Sequence, residues 1–129
     1  TMIKRADNPG IEFFKGTWQE LLDEAKRTGK PFFVDFYTDW CGPCKMMDKQ
    51  TFKNADVGEY AEQHFLAYKI NAEKGEGIAL ANKYNVNAYP SIYFFNAEGK
   101  RIGKEVGFQD ANRFLYTMEK YVKKLSKEK

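Results

Sequence analysis

The chain has 129 residues, 43% hydrophobic and 16% aromatic, with a formal net charge of +3. That is enough for one packed domain and too little for two, and so mild a charge, spread along the chain, gives no case for nucleic acid or a membrane surface. No apolar stretch reaches the roughly 18 residues of a bilayer span and no secretory leader opens the chain, although Thr1 ahead of Met2 reads as a cut end and leaves room for a removed export signal.

Residues 1–16 are polar and broken by Pro9 and Gly10, with Ile11-Glu12-Phe13-Phe14 expected as a short edge strand. Thr17-Trp18-Gln19-Glu20 matches a capping box. Trp18, Leu21, Leu22 and Ala25 then recur at helical spacing until Gly29. After Pro31, the run Phe32-Phe33-Val34-Asp35-Phe36-Tyr37 is too continuously apolar for an exposed strand and reads as a central one, covered on both faces. A helix opening at Cys41 continues to about Thr51, and a second spans Asn54 to Gln63. Phe65 to Ile70 is the next strand, and Gly75 to Tyr84 another helix. Ser91 to Phe95 and Arg101 to Val106 form a hairpin about the turn Asn96-Ala97-Glu98-Gly99. Asp110 caps a last helix with the stripe Ala111, Phe114, Leu115, Met118, Tyr121 and Leu125, whose lysine-rich end reads as solvated.

The order is βαβ, a helix, a hairpin and a closing helix. It predicts a single α/β domain over 1–129: a three-layer sandwich with a mixed sheet of four or five strands and helices on both faces. Its core is about 17–125, with 1–16 as an extension.

Chemistry concentrates in Trp40-Cys41-Gly42-Pro43-Cys44-Lys45, which holds both cysteines of the chain. Two thiols at this spacing, at a strand-to-helix junction, can close a disulfide within one helical turn. With Cys41 at the N-cap, the unpaired N–H groups and positive pole of the helix favour a thiolate there, below the usual value of about 8.5. Pro43 then falls at the second helical position, where it has no N–H to offer, and the Cys44 N–H faces the Cys41 sulfur. Gly42 keeps the approach open, and Cys44 is the shielded, resolving thiol. The competing readings are a structural disulfide, part of a metal knuckle and an inert core pair. So small a loop gains little chain entropy from closure. One histidine without further cysteines cannot complete roughly four zinc ligands. Thiol–disulfide exchange is therefore preferred, with no metal and no cofactor.

Asp35 interrupts the apolar strand ahead of Cys41. Turned towards the helix carrying Cys44, it would have a raised pKa and could act as a general base; an aspartate reaching solvent at the strand edge is the alternative. Lys69, the cation of the second strand, either approaches Asp35 across the sheet or snorkels to water. Pro90, after Tyr89, opens the third strand at the end of the sheet where ligands tend to bind; a cis bond that bares backbone to an incoming peptide and an ordinary trans strand start fit the residues equally. Trp40 and Tyr37 fit an aromatic apron beside the sulfur, although core packing explains Tyr37 equally well. His64 reads as a helix end rather than a catalytic group.

The segment Val34-Asp35-Phe36-Tyr37-Thr38-Asp39-Trp40-Cys41-Gly42-Pro43-Cys44-Lys45 resembles the thioredoxin family, and the likeness extends over roughly 17–125. The resemblance implies that Tyr89-Pro90-Ser91 is the family's cis-proline loop. It also implies that Asp35 and Lys69 are its buried aspartate and neighbouring lysine. Three features depart from the family pattern: Tyr37 replaces the usual tryptophan, Lys49 stands where a proline kinks the active-site helix, and segment 52–64 is longer than in the smallest members. They make the chain look more like the envelope-associated, disulfide-interchange relatives.

The expected function is reduction of protein disulfides by Cys41 and Cys44, with Asp35 and Lys69 assisting. Trp40, Gly42, Pro43, Tyr89 and Pro90 would contact the substrate. The partners would be disulfide-bearing proteins and a thiol reductant or reductase; the chain is expected to be monomeric. Two cysteines suit either a reducing or an oxidising compartment; the envelope is favoured and the cytoplasm comes next. Alternatives are an envelope isomerase or oxidase, and a binding module without turnover.

Overall fold

Alternation along the strands sorts the apolar side chains into two sets. Phe32, Val34 and Phe36 join Tyr68, Ile70, Tyr93 and Phe95 on one face of the sheet, while Phe33 joins Ala67, Ile92 and Phe94 on the other. A strand with apolar residues for both faces has no solvent side, and all of 32–36 is buried in this computed structural model, which describes residues 9–128. Residues 1–8, half of the expected extension, lie outside the described residues, as does Lys129.

The sheet has four strands in the order β2-β1-β3-β4. Strand β1 (Phe32–Tyr37) pairs in parallel with β2 (Leu66–Asn71) and antiparallel with β3 (Ser91–Phe95); β3 pairs antiparallel with β4 (Arg101–Val106). Helices α1 (Trp18–Thr28) and α4 (Glu76–Lys83) cover the Phe32 face through Leu21, Ala25, Leu80 and Ala81. Helices α3 (Ala55–His64) and α5 (Ala111–Lys127) cover the Phe33 face through Val57, Ala61, Phe114, Met118 and Tyr121. Phe33 and Phe114 meet edge to face at 5.5 Å, and Phe94 stacks on Tyr121 at 4.1 Å. Truncating such a ring to alanine costs about 3–5 kcal/mol.

The helix starts follow their caps. Thr17 forms the full capping box with Glu20; Asn54 and Asp110 accept from the amides of Val57 and Arg113. Two segments differ from expectation. Ile11–Phe14 is not a strand: it is an irregular strap along the outer edge of β2, where Phe14 N donates to Ala67 O and Ile11 N to Phe52 O, both at 2.7 Å. Ile11 and Phe13 pack towards the Phe33 face and Phe14 towards the other, so side-chain burial fixes the strap without a ladder. The helix that opens at Cys41 also does not run uniformly to Thr51. After α2 (Gly42–Met46) it widens into a π-helical turn over Met47–Thr51, with Phe52 N bonded to Met47 O at 2.8 Å. Widening brings Met47 and Phe52, five residues apart, into the same core, which a regular helix would not do.

Register fixes where the loops emerge. Phe36 pairs with Ser91, and Ser91 with Val106. The turn after β1, the Tyr89–Pro90 loop and the turn after β4 therefore leave the sheet at one end.

Candidate active site

Beyond Tyr37 the chain turns, and Cys41 N donates to Thr38 O at 3.4 Å. Cys41 is the N-cap of α2, Pro43 takes the second helical position, and Cys44 N donates to Cys41 Sγ at 3.1 Å. The cysteines are disulfide-bonded, with Cα atoms 5.3 Å apart. Gly42 is exposed, and nothing lies within 4 Å of where a Cβ would sit, so one side of the bond is open. Exposure does not rank the sulfurs as expected: both cysteines are 3% exposed. The hydrogen bond does rank them, since a donor is aimed at Cys41 alone of the pair.

Asp35 shares the face of Phe33, beneath the helix that carries the cysteines. It is 1% exposed, so the solvent-edge alternative does not hold, and its Oδ1 has no hydrogen-bond partner. Burial pushes the carboxyl up to about 7, against the pull of the Lys69 charge and with a lesser push from Asp48. Thr38 Oγ1 nearby in sequence is likewise buried and unpartnered.

Lys69 is the register partner of Asp35, and its ammonium stands 4.0 Å from Asp35 Oδ2. It does not run freely to water. It bonds to Asp48 and lies over the rings of Tyr37, Phe13 and Phe52 at 4.8, 5.6 and 5.9 Å. Sequence reasoning missed Asp48. The available signal was its spacing: four residues beyond Cys44, it belongs on the same helical face.

The aromatic apron is built differently from the one expected. Tyr37 faces Lys69, and Trp40 instead meets Tyr89 edge to face at 6.0 Å, because the cis Tyr89–Pro90 loop emerges beside it. The Trp40 indole donates to Glu73 at 3.0 Å, and Asp39 bonds Lys74 and Asn71 at 2.7 and 3.0 Å, which pins the turn to the loop after β2. Pro90 is buried, and its carbonyl accepts from Gly107 N at 2.9 Å. His64 ends α3 against Tyr60. Among the described residues, no group of three or more His, Cys, Asp or Glu side chains is placed to hold a metal, and no helix is long and apolar enough to cross a membrane.

The family pattern described as the thioredoxin-like domain matches residues 18–122. The chain belongs to that family. Within the thioredoxin-like relatives, it is 36% identical over 104 residues to a thiol:disulfide interchange protein, DsbD, of Yersinia pestis; the match covers 78% of this chain and 17% of that protein's length. A Bacteroides thetaiotaomicron protein, solved in solution as a candidate disulphide-isomerase, is 41% identical. It superposes with a TM-score of 0.76 over 85% of this chain and 91% of its own. The C-terminal domain of Neisseria meningitidis DsbD in its oxidised form is 27% identical, with a TM-score of 0.69 over 84% and 98% of the two chains.

Proposed function

We propose that this domain is a thiol–disulfide oxidoreductase that reduces disulfides in other proteins. The observation that carries the reading is the Cys41–Cys44 pair closed at a helix start, with one sulfur accepting a backbone N–H, just beyond a strand that buries the carboxyl of Asp35, pushed up to about 7. In the reduced state, the Cys41 thiolate attacks a substrate disulfide. That S–S bond breaks, a Cys41–substrate disulfide forms, and one substrate sulfur leaves as a thiolate. Cys44 gives its proton to Asp35 and attacks Cys41, releasing the second substrate thiol and closing the ring. Two electrons have then passed to the substrate, and an external thiol reductant returns them to the pair. A carboxyl near 7 suits this task, because it both accepts and releases a proton at neutral pH. Trp40, Gly42, Pro43, Tyr89 and Pro90 would hold the substrate backbone, and Lys69 would stabilise ionised Asp35.

The chain would act as a single-domain monomer, its core 17–125 preceded by the extension. The resemblance to disulfide-interchange relatives favours the cell envelope. Insulin reduction with dithiothreitol as electron source tests the reading. Cys41→Ser is expected to abolish turnover and Cys44→Ser to trap mixed disulfides; full activity in Cys41→Ser would sink it. The likeness to the Bacteroides protein favours isomerase activity as the second reading. Refolding of a scrambled substrate, faster than insulin reduction, would select it.

A further inference from the structure

Six side chains with polar atoms, five of them between Glu105 and Tyr121 and the sixth Thr51, form a connected set that the chemistry above leaves unused. Gln109 is at its centre. Its residue is 8% exposed, yet all three of its hydrogen-bonding groups beyond the backbone N–H have partners. Its carbonyl accepts from Thr51 Oγ1 at 2.5 Å, its Oε1 accepts from Thr117 Oγ1 at 2.8 Å, and its Nε2 donates to Glu105 Oε1 at 3.3 Å. Glu105 also accepts from Tyr121 and Lys120, at 2.8 and 2.9 Å. Burial alone would raise the Glu105 carboxyl, but these donors hold it below the usual range, so it stays an acceptor.

The location of this set matters more than its size. Thr51 closes the π-helical turn that continues the cysteine helix, and Thr117 lies in α5. Gln109 follows Gly107, whose amide bonds to Pro90 O, and Phe108, which is 37% exposed beside Val106 at 54%. One short turn is thus tied at one end to the cis-proline loop and at the other to the helix that carries the thiols. A buried polar network satisfied at each member fixes geometry, whereas an apolar side chain there would fill space without fixing it.

We propose that Gln109 is a positioning residue for protein substrates, holding the Gly107–Gln109 turn so that the exposed Phe108 stays beside the cis-proline loop as a preformed part of the docking rim. Preorganisation of this kind acts on binding rather than on the sulfur chemistry. The assignment rests on the oxidoreductase reading above.

Insulin reduction with dithiothreitol in excess separates the two. Gln109→Leu is expected to raise KM for insulin about fivefold with kcat within about twofold. Phe108→Ala should raise KM comparably, and the double variant should add nothing further, since both changes remove one contact. Thr117→Val, which deletes only the hydroxyl donor to the Gln109 amide, keeps the test alive if Gln109→Leu does not fold; it should raise KM in the same direction. A wild type that reduces no insulin sinks the oxidoreductase reading and this assignment with it. An active wild type whose KM is unmoved in Thr117→Val and Gln109→Leu, effects that add in the double variant, or an equal loss of kcat and kcat/KM sinks this assignment alone.

Discussion

Lys69 stands 4.0 Å from Asp35 Oδ2 across adjacent strands, yet gives its hydrogen bond to Asp48. The buried carboxyl is therefore only partly compensated: the nearest cation is shared with a second, half-exposed carboxylate. The two neighbours push Asp35 in opposite directions, Lys69 down and Asp48 up.

This opposition can be read directly. Lys69→Met should raise the Asp35 pKa above its value of about 7, and Asp48→Asn should lower it. The second change removes a repelling charge and frees the ammonium for Asp35 alone. Titration of the Asp35 carboxyl by carbon NMR decides; shifts of the same sign in both variants would show that Lys69 is not shared.

Asp35 should also set the pH dependence of stability. Its carboxyl titrates at about 7 in the fold against 3.8 for a free side chain. Below about pH 4 it is protonated in both states and costs nothing. As pH rises the unfolded chain releases its proton first, so stability is lost between the two values, and the loss is complete above the folded one. Asp35→Asn should therefore stabilise the oxidised protein at pH 8 by on the order of a few kcal/mol, and hardly at pH 4. Denaturant curves at both pH values measure this, and an equal gain at each would exclude ionisation as the cause.

Pro43 places no cation between the cysteines, so nothing at that position stabilises the reduced pair. A reduction potential nearer to about −270 mV than to about −120 mV is expected from equilibration with glutathione. A value above about −180 mV would move the protein to the oxidase or isomerase class.

Gly58 in α3 is required by a close approach. An added Cβ would come within 2.5 Å of the Gly10 carbonyl and the Pro9 oxygen. Alanine suits a helix better by about 1 kcal/mol, but overpacking against backbone costs about 1–3 kcal/mol. Gly58→Ala should therefore lower the urea midpoint. An unchanged or higher midpoint would mean that residues 9–10 yield freely.

Much of this architecture was legible in the sequence because local and tertiary demands agree. The apolar run 32–36 could only be central, and Thr17, Asn54 and Asp110 offer caps that the backbone uses. With Cys41 taken as the N-cap, Pro43 at the second helical position and the Cys44 N–H as donor to the Cys41 sulfur followed from hydrogen-bonding needs. What escaped was set by contacts distant in sequence. Asp48 meets Lys69 across 21 positions and Thr51 meets Gln109 across 58, and no periodicity reports such pairs. The π-helical turn depends on Phe52 reaching the core beside Met47. Trp40 meets Tyr89, a residue 49 positions on, while Lys69 lies over the Tyr37 ring.

The strap formed by Ile11 to Phe14 has a practical bearing on where the domain can be cut. A fragment starting at residue 18, where the family match begins, would strip the carbonyls of Ala67 and Phe52 of their donors and bare one border of the sheet. Bare borders recruit other chains, so such a truncation should express as clumps, whereas one that keeps Pro9 onward should stay dispersed.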